Sequence, residues 1–139
     1  MVAGTALAAG CRGPRVHTER FAVRVHARAN DRSPVPVDLV LVRDKETLGV
    51  VLPLTARQWF QQRDQLLRDH PGSLHAEHWE FVPGQARRFD RLPMGRSGVA
   101  LIIFADYLTP GPHRARVGHL QRFTLVLGER DFQVVPDEN

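Results

Sequence analysis

The sequence predicts an all-β domain, a two-sheet β-sandwich with one inserted amphipathic helix. Seven to nine short segments along the chain are apolar or alternate between apolar and polar side chains. Clusters of glycine, proline, asparagine and aspartate separate these segments at intervals that are typical of a sandwich. Only one segment has the spacing of an amphipathic helix. The 139 residues suffice for one domain with its own core.

The domain is predicted to begin with two strands that a turn-rich loop connects. Residues 21–29 alternate in polarity, which indicates a strand with one face exposed to water. Residues 30–34, with the sequence NDRSP, are turn formers. Residues 35–42 are almost entirely apolar and predict a strand in the centre of a sheet. Residues 48–54 predict a short strand or an irregular apolar segment.

The helix is predicted over residues 55–69. The Thr55 hydroxyl can accept a hydrogen bond from the backbone of Gln58, whose side chain can reach back to form a capping box. Trp59 and Leu66 share an apolar face that can pack on a sheet. A proline and a glycine follow and end the helix.

The second half of the chain predicts strands and turns. Its apolar or alternating segments are residues 75–82, 85–92, 99–107, 114–117, 122–127 and 131–135. The third is the most apolar run, so we expect it at the centre of a sheet. The last two flank a turn and predict a closing hairpin.

The net charge and the sequence motifs disfavour several classes of function. The net charge of +4 suits a polyanionic partner, but the basic residues are interleaved with 15 acidic ones. His75 and His78 would point to opposite faces of a strand and cannot share a metal ion. Asp106 has no second carboxylate placed to pair with it, and no G-x-S-x-G motif is present. We therefore expect no enzyme activity, no metal, no cofactor and no nucleic acid.

The N-terminal segment contains Cys11, the one cysteine of the chain, directly after three small residues. This pattern is typical of a lipobox, where a signal peptide is cleaved and the thiol receives a lipid. Residues 1–10 would then be a partial signal peptide, residues 11–20 a lipidated linker, and residues 21–139 the sandwich domain. Because residues 1–10 lack a basic start, we expect the natural start upstream. An ordinary N-terminus with a free cysteine is the alternative.

Four features occur in a characteristic order. They are the lipobox of residues 8–11, the strand–loop–strand of residues 21–42, the helix with Trp59-Phe60 ahead of Pro83-Gly84, and the apolar strand of residues 98–107 followed by the arginine-bearing residues 112–117. Together they resemble the outer-membrane lipoprotein of the bacterial type VI secretion system, the TssJ family. The second strand departs from the family, which often has an aromatic residue where this chain has residues 40–43.

The resemblance implies a transthyretin-like sandwich, lipid-anchored on the periplasmic face of the outer membrane, with a structural and non-catalytic role. It also implies a partner, the periplasmic domain of the inner-membrane core subunit, a TssM-like protein. In the family the loop between the first two strands makes that contact, and here it corresponds to Asn30, Asp31, Arg32 and Ser33, with Arg28 beside them. Two alternatives stay open, a pilotin- or chaperone-like periplasmic lipoprotein and a basic domain that binds nucleic acid.

Overall fold

Eight strands and two helices make up residues 13–137, the part of the chain that the computed structural model describes. In chain order they are β1 (Arg20–Val25), β2 (Val35–Val42), α1 (Lys45–Val51), α2 (Ala56–Asp69), β3 (Leu74–Phe81), β4 (Ala86–Phe89), β5 (Ala100–Ala105), β6 (Arg114–Arg116), β7 (Arg122–Leu127) and β8 (Phe132–Pro136). Cys11 and the predicted signal peptide, residues 1–10, lie outside the described residues.

The strands form two four-stranded sheets, so the predicted two-sheet sandwich is confirmed. The β1 sheet has the order β4-β1-β7-β8, and the β2 sheet has the order β3-β2-β5-β6. β1 pairs in parallel with β7, while all other neighbours are antiparallel. β2 and β5, the two most apolar strands, lie side by side in the middle of their sheet, as their composition predicts.

The core has two layers, and the β2 sheet lies between them. One layer fills the space between the sheets, where Phe21 stacks on Phe123 with ring centroids 5.3 Å apart. The other lies between the β2 sheet and α2, where Trp59 stacks on Phe104 at 5.2 Å. β2 and β5 are covered on both faces, which explains why they are nearly continuous apolar runs in the sequence.

The structure contains a second helix that the sequence analysis missed. α1 begins at Lys45 and overlaps residues 48–51 of the segment 48–54, predicted as a short strand or an irregular apolar stretch. Asp44 caps it by accepting a hydrogen bond from the Thr47 amide at 2.8 Å. Hydrogen bonds from the Ser73 hydroxyl and then from Thr47 hold the pKa of Asp44 below its ordinary value. α2 begins at the predicted capping box of Thr55 and Gln58. No helix in residues 13–137 is long and apolar enough to span a membrane.

The linker predicted over residues 11–20 is packed against the domain from Arg15 onward. Arg15 forms a β-bridge with Ser97. Val16 and Thr18 are buried, and the Thr18 hydroxyl donates a hydrogen bond to a backbone carbonyl at 2.7 Å. Residues 15–20 therefore belong to the packed domain and not to a linker, and any free tether must precede Arg15.

Different segments occupy the two ends of the sandwich. The loop end carries residues 26–34, 82–85, 106–113 and 128–131. The N-terminal end carries residues 13–19, 90–99 and 117–121. β1 runs from the N-terminal end to the loop end, and its six residues span about 20 Å. The chain therefore enters the sandwich on the side opposite the loop that the resemblance assigns to partner binding.

Candidate partner-binding surface

The loop between β1 and β2 has an unusual backbone. β1 ends at Val25, four residues before its predicted end, because the chain turns where the Ala29 amide donates to the His26 carbonyl. Three consecutive residues, Asn30, Asp31 and Arg32, then have left-handed φ angles of 51°, 54° and 59°. Asparagine and aspartate tolerate this conformation, whereas it is costly for arginine. Such a backbone persists only where surrounding contacts hold it in place.

Asn30 provides those contacts. Its side-chain amide donates to the Pro34 carbonyl at 3.0 Å, and its Oδ1 accepts from the Leu108 amide at 2.7 Å. Its backbone amide donates to the Glu129 carbonyl at 2.9 Å. With 4% of its surface exposed, Asn30 faces the protein interior. It positions the loop and ties it to two neighbouring loops, so its side chain is not available to a partner.

The other residues predicted for partner binding lie on the surface around this anchor. Arg28, Asp31 and Arg32 are exposed, and Ser33 is half-buried. Two positive side chains and one negative side chain thus project from a loop of fixed conformation. A preorganised polar loop of this kind can recognise a partner without a large loss of conformational entropy.

Leu108 adds an apolar contact that the sequence analysis did not identify. Its side chain is 64% exposed, the largest exposure among the exposed large apolar residues of the described chain. It borders a concavity of about 280 Å³, whose other walls include Pro110 and the ion pair of Arg57 with Asp106 at 2.9 Å. The position follows a strand and precedes a turn, so sequence alone could not tell whether it points inward. We define the loop-end surface as Arg28, Asp31, Arg32, Ser33 and Leu108.

The loop of Leu108 is fixed to the β7–β8 turn by a second polar cluster. The buried His113 contacts the Asp131 carboxylate through Nδ1 at 2.8 Å and donates from Nε2 to the Thr109 carbonyl at 2.8 Å. The Thr109 hydroxyl donates to the backbone carbonyl of Arg130. The Tyr107 hydroxyl donates to a further backbone carbonyl in the turn, at 3.0 Å. Three loops at this end are therefore connected to one another.

Thr109, His113 and Asp131 have the residue types of a hydrolytic triad, with the Thr109 hydroxyl 3.4 Å from Nε2. A general base must accept the proton of the nucleophile. Nε2 instead carries a hydrogen that it donates to a carbonyl, and the hydroxyl is already used as a donor. His113 is also only 6% exposed. The arrangement therefore serves to hold the loops and does not activate a nucleophile.

The buried location of Tyr107 predicts that the free energy of unfolding depends on pH in the alkaline range. Burial, followed by the negative charge of Asp131, raises the pKa of Tyr107 above its ordinary value near 10. As the pH rises past about 10, the unfolded chain loses this proton while the folded chain retains it, so stability falls by up to about 1.4 kcal/mol per pH unit. Chemical denaturation at about pH 8 and about pH 11 measures this loss.

The Tyr107→Phe variant should lose much less stability over the same interval, because it has no phenol. Tyr107 is the one tyrosine and Lys45 the one lysine of the chain, so few other groups titrate there. The exposed Lys45→Gln variant is the control and should retain the wild-type pH dependence. An equal loss in the wild type and in Tyr107→Phe would contradict the assignment.

The two histidines that the sequence analysis considered as metal ligands, His75 and His78, contact acidic side chains. His78 lies 2.6 Å from the buried carboxylate of Asp38, and His75 lies 2.8 Å from Glu77. In residues 13–137 no group of three or more histidine, cysteine, aspartate or glutamate side chains is placed to hold a metal ion. Asp106, which the sequence analysis considered as a catalytic carboxylate, forms the ion pair with Arg57.

Solved structures that share this fold include components of a bacterial secretion machine. The T6SS lipoprotein TssJ1 from Pseudomonas aeruginosa matches with a TM-score of 0.65 and 16% identity, over 91% of this chain and 99% of that chain. Serratia marcescens Lip, a membrane-bound component of the Type VI Secretion System, matches with a TM-score of 0.56 and 12% identity, over 88% and 99%. A chain of the structure described as the T6SS protein TssM C-terminal domain from EAEC matches with a TM-score of 0.61 and 14% identity, over 85% and 100%.

The resemblance to the TssJ lipoproteins is therefore confirmed at the level of the fold, and these identities extend it no further. A comparison with protein-family models finds no matching family, and a comparison with curated proteins finds no significant match.

Proposed function

We propose that this chain, which has the fold of the TssJ lipoproteins, is the outer-membrane lipoprotein of a type VI secretion envelope complex. The observation that carries the proposal is the extent of the likeness, which covers 91% of this chain and 99% of TssJ1. The protein would hold the periplasmic part of a TssM-like inner-membrane subunit to the outer membrane. Its role would be structural, with no catalytic step.

The separation of the two ends of the sandwich supports this role. Cys11 lies four residues before Arg15, where the chain docks at the N-terminal end. The loop-end surface lies at the far end of β1, about 20 Å away. A domain tethered through Cys11 can therefore present its loop-end surface to a partner while its other end stays at the membrane.

The composition of the loop-end surface also suits a protein partner. An exposed apolar side chain, Leu108, lies beside the charged residues Arg28, Asp31 and Arg32. Protein interfaces commonly have an apolar centre with a polar rim, and arginine is enriched in them. The hydrogen bonds of Asn30 hold both loops in one arrangement, which reduces the entropy lost on binding.

Lipidation of Cys11 tests the anchoring part of the proposal. The protein expressed in a Gram-negative host behind a lipoprotein signal peptide should incorporate radiolabelled palmitate and fractionate with the outer membrane. The Cys11→Ser variant should lose the label, because no thiol remains to be acylated, and should no longer fractionate with the outer membrane. Unlabelled wild-type protein, or labelled Cys11→Ser, would refute the anchor.

A further inference from the structure

The outward face of the β1 sheet carries arginines near the N-terminal end. Arg20 on β1 lies directly opposite Arg122 on β7, and Arg88 on β4 lies opposite Ala22. These three arginines line one shallow concavity of about 890 Å³, together with apolar atoms that include those of Val135. We define the basic face as Arg20, Arg88 and Arg122.

The charge of the basic face is only partly balanced within the described residues, since two carboxylates line the concavity beside its three arginines. None of its three arginines takes part in an ion pair in residues 13–137, whereas Arg57 and Arg63 of α2 each pair with a carboxylate. Asp90 and Asp137 line the same concavity, but Asp137 accepts a hydrogen bond from a threonine hydroxyl, and neither forms an ion pair there. Like charges opposite one another on neighbouring strands are unfavourable. This arrangement is complementary to a surface of negative charge.

The basic face belongs to the end of the sandwich at which the tether enters. Val16 is buried, and its amide donates to the Arg96 carbonyl, so the chain is fixed there. The four residues from Cys11 to Arg15 reach at most about 14 Å when fully extended. A lipid on Cys11 would therefore hold this end within about two screening lengths of the bilayer, since the screening length is about 8 Å. Further exposed arginines at this end are Arg15, Arg43, Arg91 and Arg116.

We propose that the basic face binds the anionic phospholipid headgroups of the membrane to which the chain is tethered. This inference rests on the proposed anchoring at Cys11, since the short tether is what places the basic face at the bilayer. A lipid chain and a basic patch act together in stable membrane attachment. The contact would also orient the sandwich, with the β1 sheet toward the membrane and the loop-end surface away from the tether.

Vesicle co-sedimentation of the full-length Cys11→Ser chain tests the basic face without the lipid. The chain should sediment with vesicles that contain phosphatidylglycerol and remain in solution with vesicles of phosphatidylcholine alone. Replacing Arg20, Arg88 and Arg122 together by glutamine should weaken the first interaction by about 100-fold, or roughly fivefold for each charge. The binding should also weaken as the salt concentration rises.

The matched control is Arg28→Gln/Arg32→Gln at the loop end, which should bind the anionic vesicles as the wild type does. Equal melting temperatures of the variants show that folding is unchanged. Binding to neither vesicle, equal binding to both, or wild-type binding by the triple variant would overturn the proposal. Suppression by inorganic phosphate at the same ionic strength would also overturn it, because it indicates a site for small anions. Failure of palmitate labelling, by contrast, would refute the anchor at Cys11. The vesicle experiment does not depend on that result, because it uses the chain without a lipid.

Discussion

The Asp38→Ala substitution is expected to lower the free energy of unfolding by about 3 kcal/mol. Asp38 is fully buried in β2, on the side of the sheet that faces α2. Its Oδ2 accepts from the indole nitrogen of Trp59 at 2.9 Å and from Nε of Arg63 at 2.6 Å, while its Oδ1 lies 2.6 Å from His78. Removing the carboxylate leaves a buried donor without a partner, and the partly buried Arg63 keeps only the solvent-exposed Asp64 as a counter-ion.

Asp64 offers a matched control, because it contacts the same guanidinium group from solvent. Its side chain is 80% exposed and lies 3.4 Å from Arg63. Asp64→Ala should change the free energy of unfolding by less than about 0.5 kcal/mol, as is usual for exposed ion pairs. Thermal unfolding followed by circular dichroism should place Asp38→Ala roughly 10 °C below the wild type. Similar small shifts in both variants would show that Asp38 does not hold α2 on the sheet.

Asp38 also bears on the loop end, because α2 extends from the buried cluster to that end of the sandwich. Arg57 in the first turn of α2 pairs with Asp106 and donates to the Tyr107 carbonyl at 3.2 Å. The Ala56 amide donates to the Pro112 carbonyl at 2.8 Å. A helix that is fixed on the β2 sheet by Asp38 therefore supports the loop that carries Leu108.

The Leu108→Glu substitution should weaken binding to the periplasmic domain of the TssM-like partner by at least about 30-fold. Truncation of a central interface residue commonly costs about 2 kcal/mol or more, and a buried carboxylate without a partner adds a desolvation cost. Because Leu108 is 64% exposed in the free protein, the change should leave its stability nearly unaltered. Isothermal titration calorimetry measures the affinity, and circular dichroism verifies the fold.

Val50→Glu is the control for this experiment. Val50 lies on α1, is not one of the residues that define the loop-end surface, and is 42% exposed. The same change of an exposed apolar residue to glutamate at this position should leave the affinity within about twofold of the wild type. Wild-type affinity in Leu108→Glu would remove Leu108 from the interface.

The periodicity of the sequence predicted most of the fold. Alternation located β1 and β3, continuous apolar runs located β2 and β5, and the capping box located the start of α2. Local signals of this kind report how a segment is buried. They failed for α1, because the apolar second half of this seven-residue helix resembles a short buried strand. Only the cap at Asp44 distinguishes it.

The candidate site was less accessible to sequence analysis, because its geometry depends on contacts between distant residues. Asn30 resembles an ordinary turn residue, yet it bonds to Leu108, which is 78 positions away in the chain. Asp38 is one acidic residue in an apolar strand, and its partners come from α2 and β3. The loop between β1 and β2 could be located in the sequence, but the division between the buried Asn30 and the exposed Asp31 and Arg32 could not.

In the proposed role, the two ends of the domain have different tasks: one attaches to the membrane and the other binds the partner. The N-terminal end combines a tether of at most about 14 Å with the basic face, and both favour the membrane. The loop end combines a rigid backbone with exposed charged and apolar side chains. A pilotin- or chaperone-like lipoprotein could share the first property, so recognition by the loop end distinguishes the proposed function.

The most direct test is a calorimetric titration of this protein with the periplasmic C-terminal domain of the TssM-like subunit from the same organism. The wild type should bind saturably, and Arg28→Glu/Arg32→Glu should lose most of that affinity because both exposed loop charges are reversed. The Arg20→Gln/Arg88→Gln/Arg122→Gln variant of the basic face should bind as the wild type does. Absence of binding by the wild type, or equal binding by the loop variant, would contradict the account.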